Sequence, residues 1–194
     1  MTNLQHKLFV IMGPSGSGKT AVSAAVFPKN YKVVSHTTRQ KRAGEVDQVD
    51  YYFETKASFQ TLLSAHELVE YDQYHGEYYG VGLQAILQQT RQHCAYVILT
   101  YSGFCAVAER FGDSVVPIFF DVSKANVFAR LSQRERQATV IQERLQLYEQ
   151  EIQVKTALAQ VPNGLIIDAN PSFSEVVAQL RHFVCQENKE PVNE

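Results

Sequence analysis

Leu8-Phe9-Val10-Ile11-Met12 runs directly into Gly13-Pro14-Ser15-Gly16-Ser17-Gly18-Lys19-Thr20, and the fold turns on this junction. Five consecutive apolar residues with no helical gap read as a buried strand, and the glycines that follow read as a turn. A helix is expected over Lys19–Val26, ending near Pro28. The eight-residue stretch satisfies G-x-x-x-x-G-K-[ST] in full, and it lies between a predicted strand and a predicted helix, the setting in which the pattern forms a phosphate-binding P-loop (Walker A). Glycines let successive backbone N–H groups turn toward one phosphate, and the helix N-terminus adds partial positive charge. Lys19 is expected to reach the β- and γ-phosphates of ATP, and the Thr20 hydroxyl to ligate Mg²⁺. The plainer reading, a glycine turn that merely joins strand to helix, is uncommon in this setting.

Outward from the loop, strands and helices alternate. Strands are expected at 32–36, 95–99, 115–120 and 165–167, and helices at 83–92, 104–111, from Lys124 after a Ser123 cap, and at 139–159. A last helix starts at a capping box formed by Ser172 and Glu175, ahead of Val176, Val177, Leu180 and Val184. This rhythm implies an α/β fold with a five-stranded parallel sheet and helices on both faces. The rhythm fails between about 51 and 79, where aromatic and charged residues mix around one short helical stretch at 59–65. Residues 186–194 read as a polar, frayed tail.

The 194 residues, 45% hydrophobic and 20% charged, are ordinary globular composition, which excludes a disordered or fibrous chain. No apolar run approaches the roughly 18–20 residues of a membrane span. A net charge of −2 argues against non-specific nucleic-acid binding as the main activity. Cys94, Cys105 and Cys185 form no C-x-x-C pair, and in the absence of a leader they fit a reducing cytoplasm. His36, His66, His75 and His93 share no metal-ligand spacing, and Cys105 reads as a small buried hydrophobe.

A P-loop leaves the acceptor open. A hydroxyl acceptor normally needs a carboxylate base, whereas a phosphate monoester, with a second pKa of about 6, is already anionic at neutral pH. Joining two polyanions instead requires positive charge. Two basic clusters offer it: Lys32, Arg39, Lys41 and Arg42, then Lys124, Arg130, Arg134, Arg136 and Arg144. Arginine suits bidentate phosphate binding, although such clusters are also common on solvated faces.

Ser35-His36-Thr37-Thr38-Arg39-Gln40-Lys41-Arg42-Ala43-Gly44-Glu45 and Asp50-Tyr51-Tyr52-Phe53 resemble the guanylate kinases, as do Glu67-Leu68-Val69-Glu70-Tyr71, Glu77-Tyr78-Tyr79-Gly80 and the stretch from Arg130 to Arg144. The similarity spans about residues 8 to 182 in unbroken order. It implies one domain, with a core over 5–34, 82–131 and 145–185, a GMP-binding insert over 35–81 and a lid over 132–144. It further implies that Arg39, Arg42, Tyr51 and Tyr79 hold the acceptor phosphate and that Ser35 and Glu70 read the base. Guanine presents N1–H and a 2-amino group as adjacent donors, which an ionised carboxylate accepts together. Arg134 and Arg144 match the arginines that clamp the transferring phosphoryl group; Arg130 and Arg136 fit less well. ATP and Mg²⁺ would be used to convert GMP to GDP, in a monomer or homodimer without nucleic-acid or membrane partners.

Three positions depart from the family pattern. Val81 stands where a serine or threonine usually helps read the base, and Ile98 and Thr100 replace two aspartates of the third parallel strand, one facing the base and one nearer the metal. Asp121, at the end of 115–120, is a candidate substitute through a water, though an acidic residue there more often serves the next helix. The departures keep two alternatives open: a P-loop kinase for another nucleotide or sugar phosphate, and a degenerate module that binds without turnover. The intact Gly18-Lys19-Thr20 speaks against the latter.

Overall fold

The computed structural model describes residues 3–74, 76–134 and 137–188. One sheet is parallel and four-stranded, in the order β6-β1-β7-β8: Ala95–Ile98, Leu8–Met12, Val115–Asp121 and Leu165–Asp168. All five residues of β1 are buried, as are the first six of β7. Continuous apolar runs of this kind belong to strands covered on both faces. The fifth strand expected at 32–36 is reduced to a single parallel bridge, Lys32 with Tyr96, where the Val33 N–H donates to the Tyr96 carbonyl at 2.8 Å. The chain cannot extend that pairing because His36–Thr37 (β2) is already committed to a second sheet.

Apart from His36, the last residue of the strand expected at 32–36, that second sheet lies where no regular strands were expected. Its order is β3-β2-β5-β4, with β3 at Tyr52–Phe53, β4 at Leu68–Tyr74 and β5 at Glu77–Gly82. β4 and β5 form an antiparallel hairpin in which Glu70 opposes Val81, Tyr71 opposes Gly80 and Asp72 opposes Tyr79. β2 joins β5 antiparallel, with Thr37 opposite Tyr79.

The chain folds as two compact units, one from the described part of 1–9 with 30–115, the other from 10–29 with the described part of 116–194. In the first, α2 (Lys56–Ser64) begins at a Thr55 cap and buries Phe59, whose ring stacks on Tyr78. α3 (Leu83–Gln89) ends three residues before the expected 92, with Thr90 as its C-cap. α4 (Tyr101–Phe111) packs against β4 and starts three residues before the expected 104, because the Thr100 hydroxyl accepts the Gly103 N–H at 3.2 Å and caps the first turn.

In the second unit, α1 (Lys19–Val26) packs on α7 (Phe173–Glu187), and α5 (Lys124–Arg134) packs on α6 (Ala138–Leu158). The capping box at Ser172 and Glu175 is present in both directions. α7 extends through Glu187 and closes at Asn188, so Gln186 and Glu187 are helical and do not belong to a frayed tail; residues 189–194 lie outside the described residues. Among the described residues, no helix is long and apolar enough to cross a membrane.

Candidate active site

The glycine turn between β1 and α1 lies in the second unit, and β7 sets its geometry. Gly13 adopts φ +135°, and a Cβ there would lie 2.7 Å from the Phe120 carbonyl oxygen, so this turn admits only glycine. The Gly18 cap of α1 is left-handed, at φ +94°. Lys19 Nζ folds back across the loop and donates to the carbonyls of Gly13 and Pro14, the latter at 2.8 Å, with Ser17 Oγ at 3.4 Å. Arg130 Nη1 donates to the Ser17 carbonyl at 3.2 Å and Nη2 to the Ala169 carbonyl at 2.8 Å. Arg130 thus braces the loop.

A residue missed in the sequence completes this cluster. Glu151, on α6, accepts the Ser15 N–H at 3.3 Å, and burial pushes its carboxyl pKa up against the opposing pull of Lys19. Arg144, Tyr148 and Glu151 are spaced i, i+4, i+7, which places them on one helical face. Tyr148 anchors that face by donating from its hydroxyl to the Val122 carbonyl at 2.8 Å. Arg144 is half-buried on α6. The Arg134 side chain and Arg136, like His75, lie outside the described residues. Asp121 is ion-paired with Lys155, one turn beyond Glu151 on the same helix.

The first unit holds the second cluster. Arg39 donates to Glu45 through both terminal nitrogens, at 3.0 and 2.7 Å, and Glu45 also accepts the Arg42 N–H at 2.8 Å. The Arg39 guanidinium lies 5.4 Å from the Tyr51 ring centre and 5.8 Å from that of Phe53, and it interacts with the Tyr79 hydroxyl. Burial acts to lower the Arg39 pKa, but the Glu45 bonds and charge outweigh it and the pKa is raised. The bond from Arg39 is the main reason that Glu45 falls below the usual carboxylate range. Tyr51 packs edge-on to Tyr79 at 6.1 Å, with Lys32 Nζ 5.3 Å from its ring centre. Arg42 and Lys41 are exposed. Glu45, six residues after Arg39 and three after Arg42, was the legible signal for this clamp.

Glu70 and Tyr79 share one face of the β4–β5 hairpin, since residues opposed or two apart point the same way. Glu70 is 8% exposed, and among the described residues nothing donates a hydrogen bond to its carboxylate. A Cβ on Gly103 would fall 2.8 Å from Glu70 Oε2, so glycine in the first turn of α4 makes room for this carboxylate. Burial first, and the Asp72 charge second, raise its pKa to about 7. Val81, opposite Glu70, is fully buried. Ile98 is half-buried at the end of β6, and Thr100 serves as the cap of α4. Ser35 accepts the Tyr52 N–H on its carbonyl at 2.9 Å, its side chain half-buried.

For a divalent cation, the loop offers the exposed Thr20 hydroxyl, and among the described residues no three His, Cys, Asp or Glu side chains converge. Two of the histidines have structural partners, since His36 bonds Glu54 and stacks on Tyr52 and His93 stacks on Tyr31, whereas His66 is exposed. Cys105, expected to be buried, is exposed because it lies on the outer side of α4 beside the Tyr101 hydroxyl.

The guanylate kinase family model matches residues 5–187. The guanylate kinase of Mycoplasma pneumoniae is 31% identical, in an alignment covering 93% of this chain and 76% of that protein. The crystal structure of guanylate kinase from Anaplasma phagocytophilum superposes with a TM-score of 0.72 at 22% identity, covering 98% of this chain and 90% of the other, a likeness of fold. With a glycine turn closed by β7 in one unit, an arginine–glutamate pair and a buried carboxylate in the other, and a family match over nearly its whole length, the chain belongs to the guanylate kinase family.

Proposed function

We propose that this protein transfers the γ-phosphoryl group of ATP to GMP, giving ADP and GDP. The observation that carries the reading is the β4–β5 face, where a buried carboxylate suited to a donor-rich base and a tyrosine joined to an arginine clamp lie two residues apart along paired strands. In this reading Arg39, Arg42, Tyr51 and Tyr79 bind the GMP phosphate, and Glu70 and Ser35 bind the base. Glu45 holds the Arg39 fork in place, so its planar donors meet a phosphate already oriented.

A GMP phosphate oxygen forms the new bond to the γ-phosphorus while the bond to the β-bridging oxygen breaks, and the electron pair leaves with ADP. The attacking oxygen is anionic, so no general base is needed. Loop N–H groups and Lys19 hold the β- and γ-phosphates, and Arg134 and Arg144, both within the lid expected over 132–144, neutralise charge on the group in transfer. Thr20 would hold Mg²⁺, which would supply further neutralisation when bound. The absence of a disulfide among Cys94, Cys105 and Cys185 suits a cytoplasmic enzyme.

The test is ADP release from ATP with Mg²⁺ across a panel of GMP, IMP, AMP, CMP, UMP and sugar phosphates. GMP is expected to give the highest kcat/KM. Faster turnover of another acceptor would replace GMP as the substrate, and nucleotide binding without turnover of any acceptor would make the protein a binding module.

A further inference from the structure

The β4–β5 face carries a second carboxylate that the reading above does not use. Asp72 lies two residues from Glu70 on β4, opposite Tyr79, so it shares the face of the carboxylate and of the tyrosine joined to the arginine clamp. Its two oxygens are both anchored: Oδ1 accepts the Gln73 N–H at 2.7 Å, and Oδ2 accepts the Ser102 hydroxyl at 3.2 Å. Ser102 Oγ lies 2.9 Å from Thr100 Oγ1, which itself accepts the Gly103 N–H. With the Ser102 proton committed to Asp72, the Thr100 proton points to Ser102. The result is a one-way relay, Thr100 to Ser102 to Asp72, that ends on a negative charge and fixes its position. Each anchored oxygen keeps a free acceptor site.

Glu70 and Asp72 therefore stand side by side along the first turn of α4, Glu70 against Gly103 and Asp72 on Ser102. Their charges oppose each other, and the buried Glu70 carboxylate receives no donor from the described residues. A pair of this kind is relieved by a ligand edge that brings several N–H donors at once. Resting on the GMP reading, we propose that Asp72 is a specificity-determining residue of the acceptor site, accepting from the guanine 2-amino group while Glu70 takes N1–H. Thr100 and Ser102 are its positioning residues. The site would thus distinguish GMP from IMP, which shares N1–H but lacks the 2-amino group.

The ratio of kcat/KM for GMP and IMP tests this in the parent protein and in Asp72→Ala. Removing the Asp72 charge also eases ionisation of Glu70, which affects both substrates through N1–H, so the ratio isolates the 2-amino contribution. The ratio is expected to fall by roughly tenfold or more, the loss of one charge-assisted bond, with Ser102→Ala giving a smaller fall in the same direction. Thermal melting of both variants checks folding, and a variant that does not fold is replaced by Asp72→Asn, which keeps shape and loses charge. An unchanged ratio, with GMP still preferred over AMP, overturns the role of Asp72 and leaves the GMP reading standing. No preference of the parent for GMP over AMP overturns the GMP reading itself, and this role with it.

Discussion

A carboxylate as buried as Glu70, accepting no hydrogen bond from the described residues, is driven toward its neutral form, and burial with the Asp72 charge lifts its pKa to about 7 from an ordinary 4.5. Between those two values the folded protein keeps a proton that the unfolded chain has released. Stability from this group is therefore complete below about pH 4.5 and is lost as pH rises to about 7. The effect is of order 3 kcal/mol. Glu70→Gln should remove it, which shows as a smaller difference between urea unfolding at pH 5 and pH 8 than in the parent. GMP binding has the opposite sign, because the ionised form accepts the guanine donors: affinity should weaken more steeply as pH falls below about 7 in the parent than in Glu70→Gln, which keeps only the titration of the GMP phosphate. Titration calorimetry at pH 6 and 8 measures this. The identity of this residue was legible in Glu67-Leu68-Val69-Glu70-Tyr71, but its lack of a donor was not, because that depends on what α4 and β5 bring to it across the chain.

At the scale of elements, what could be read followed how local the determinant was. The glycine turn after β1, α1 and the Ser172 to Glu175 capping box are written in adjacent residues, and the structure reproduces them. The start of α4 is written just as locally, yet Thr100 lacks a Glu or Gln three residues on, where Gly103 makes room for Glu70, so the usual signature is missing. Thr100→Ala should cost about 1 kcal/mol through the lost cap, whereas Thr100→Asp should retain most of it, a difference that denaturant melts resolve. The small mixed sheet was hidden for another reason. On β4, Glu70 and Asp72 replace the apolar residues that alternation would require on one face, so the strand does not display a core-facing pattern. Residues 32–36 looked like one strand but divide between a single bridge to β6 and the start of β2.

For the whole molecule, the alternating strands and helices and the P-loop were sufficient for the α/β class, whereas the acceptor came from the resemblance, since no local pattern announces guanine. Nucleotide binding to the folded chain alone should stabilise it by about 2.7 kcal/mol at a hundredfold excess over Kd. For a chain of this length that corresponds to a rise in Tm of about 5–10 °C. Lys19→Met should remove the rise produced by ATP with Mg²⁺ and abolish phosphoryl transfer. The variant also loses the bonds from Lys19 to the Gly13 and Pro14 carbonyls, so its own nucleotide-free melt is the reference.

Glu151 gives the loop a further property. Its carboxylate accepts the Ser15 N–H from α6, so the cradle already holds an anion that belongs to the protein. A phosphate reaching that N–H must take the bond from Glu151, and binding becomes an exchange of one anion for another. The displaced group sits on the helical face that carries Arg144, two turns earlier, and Lys155, one turn later.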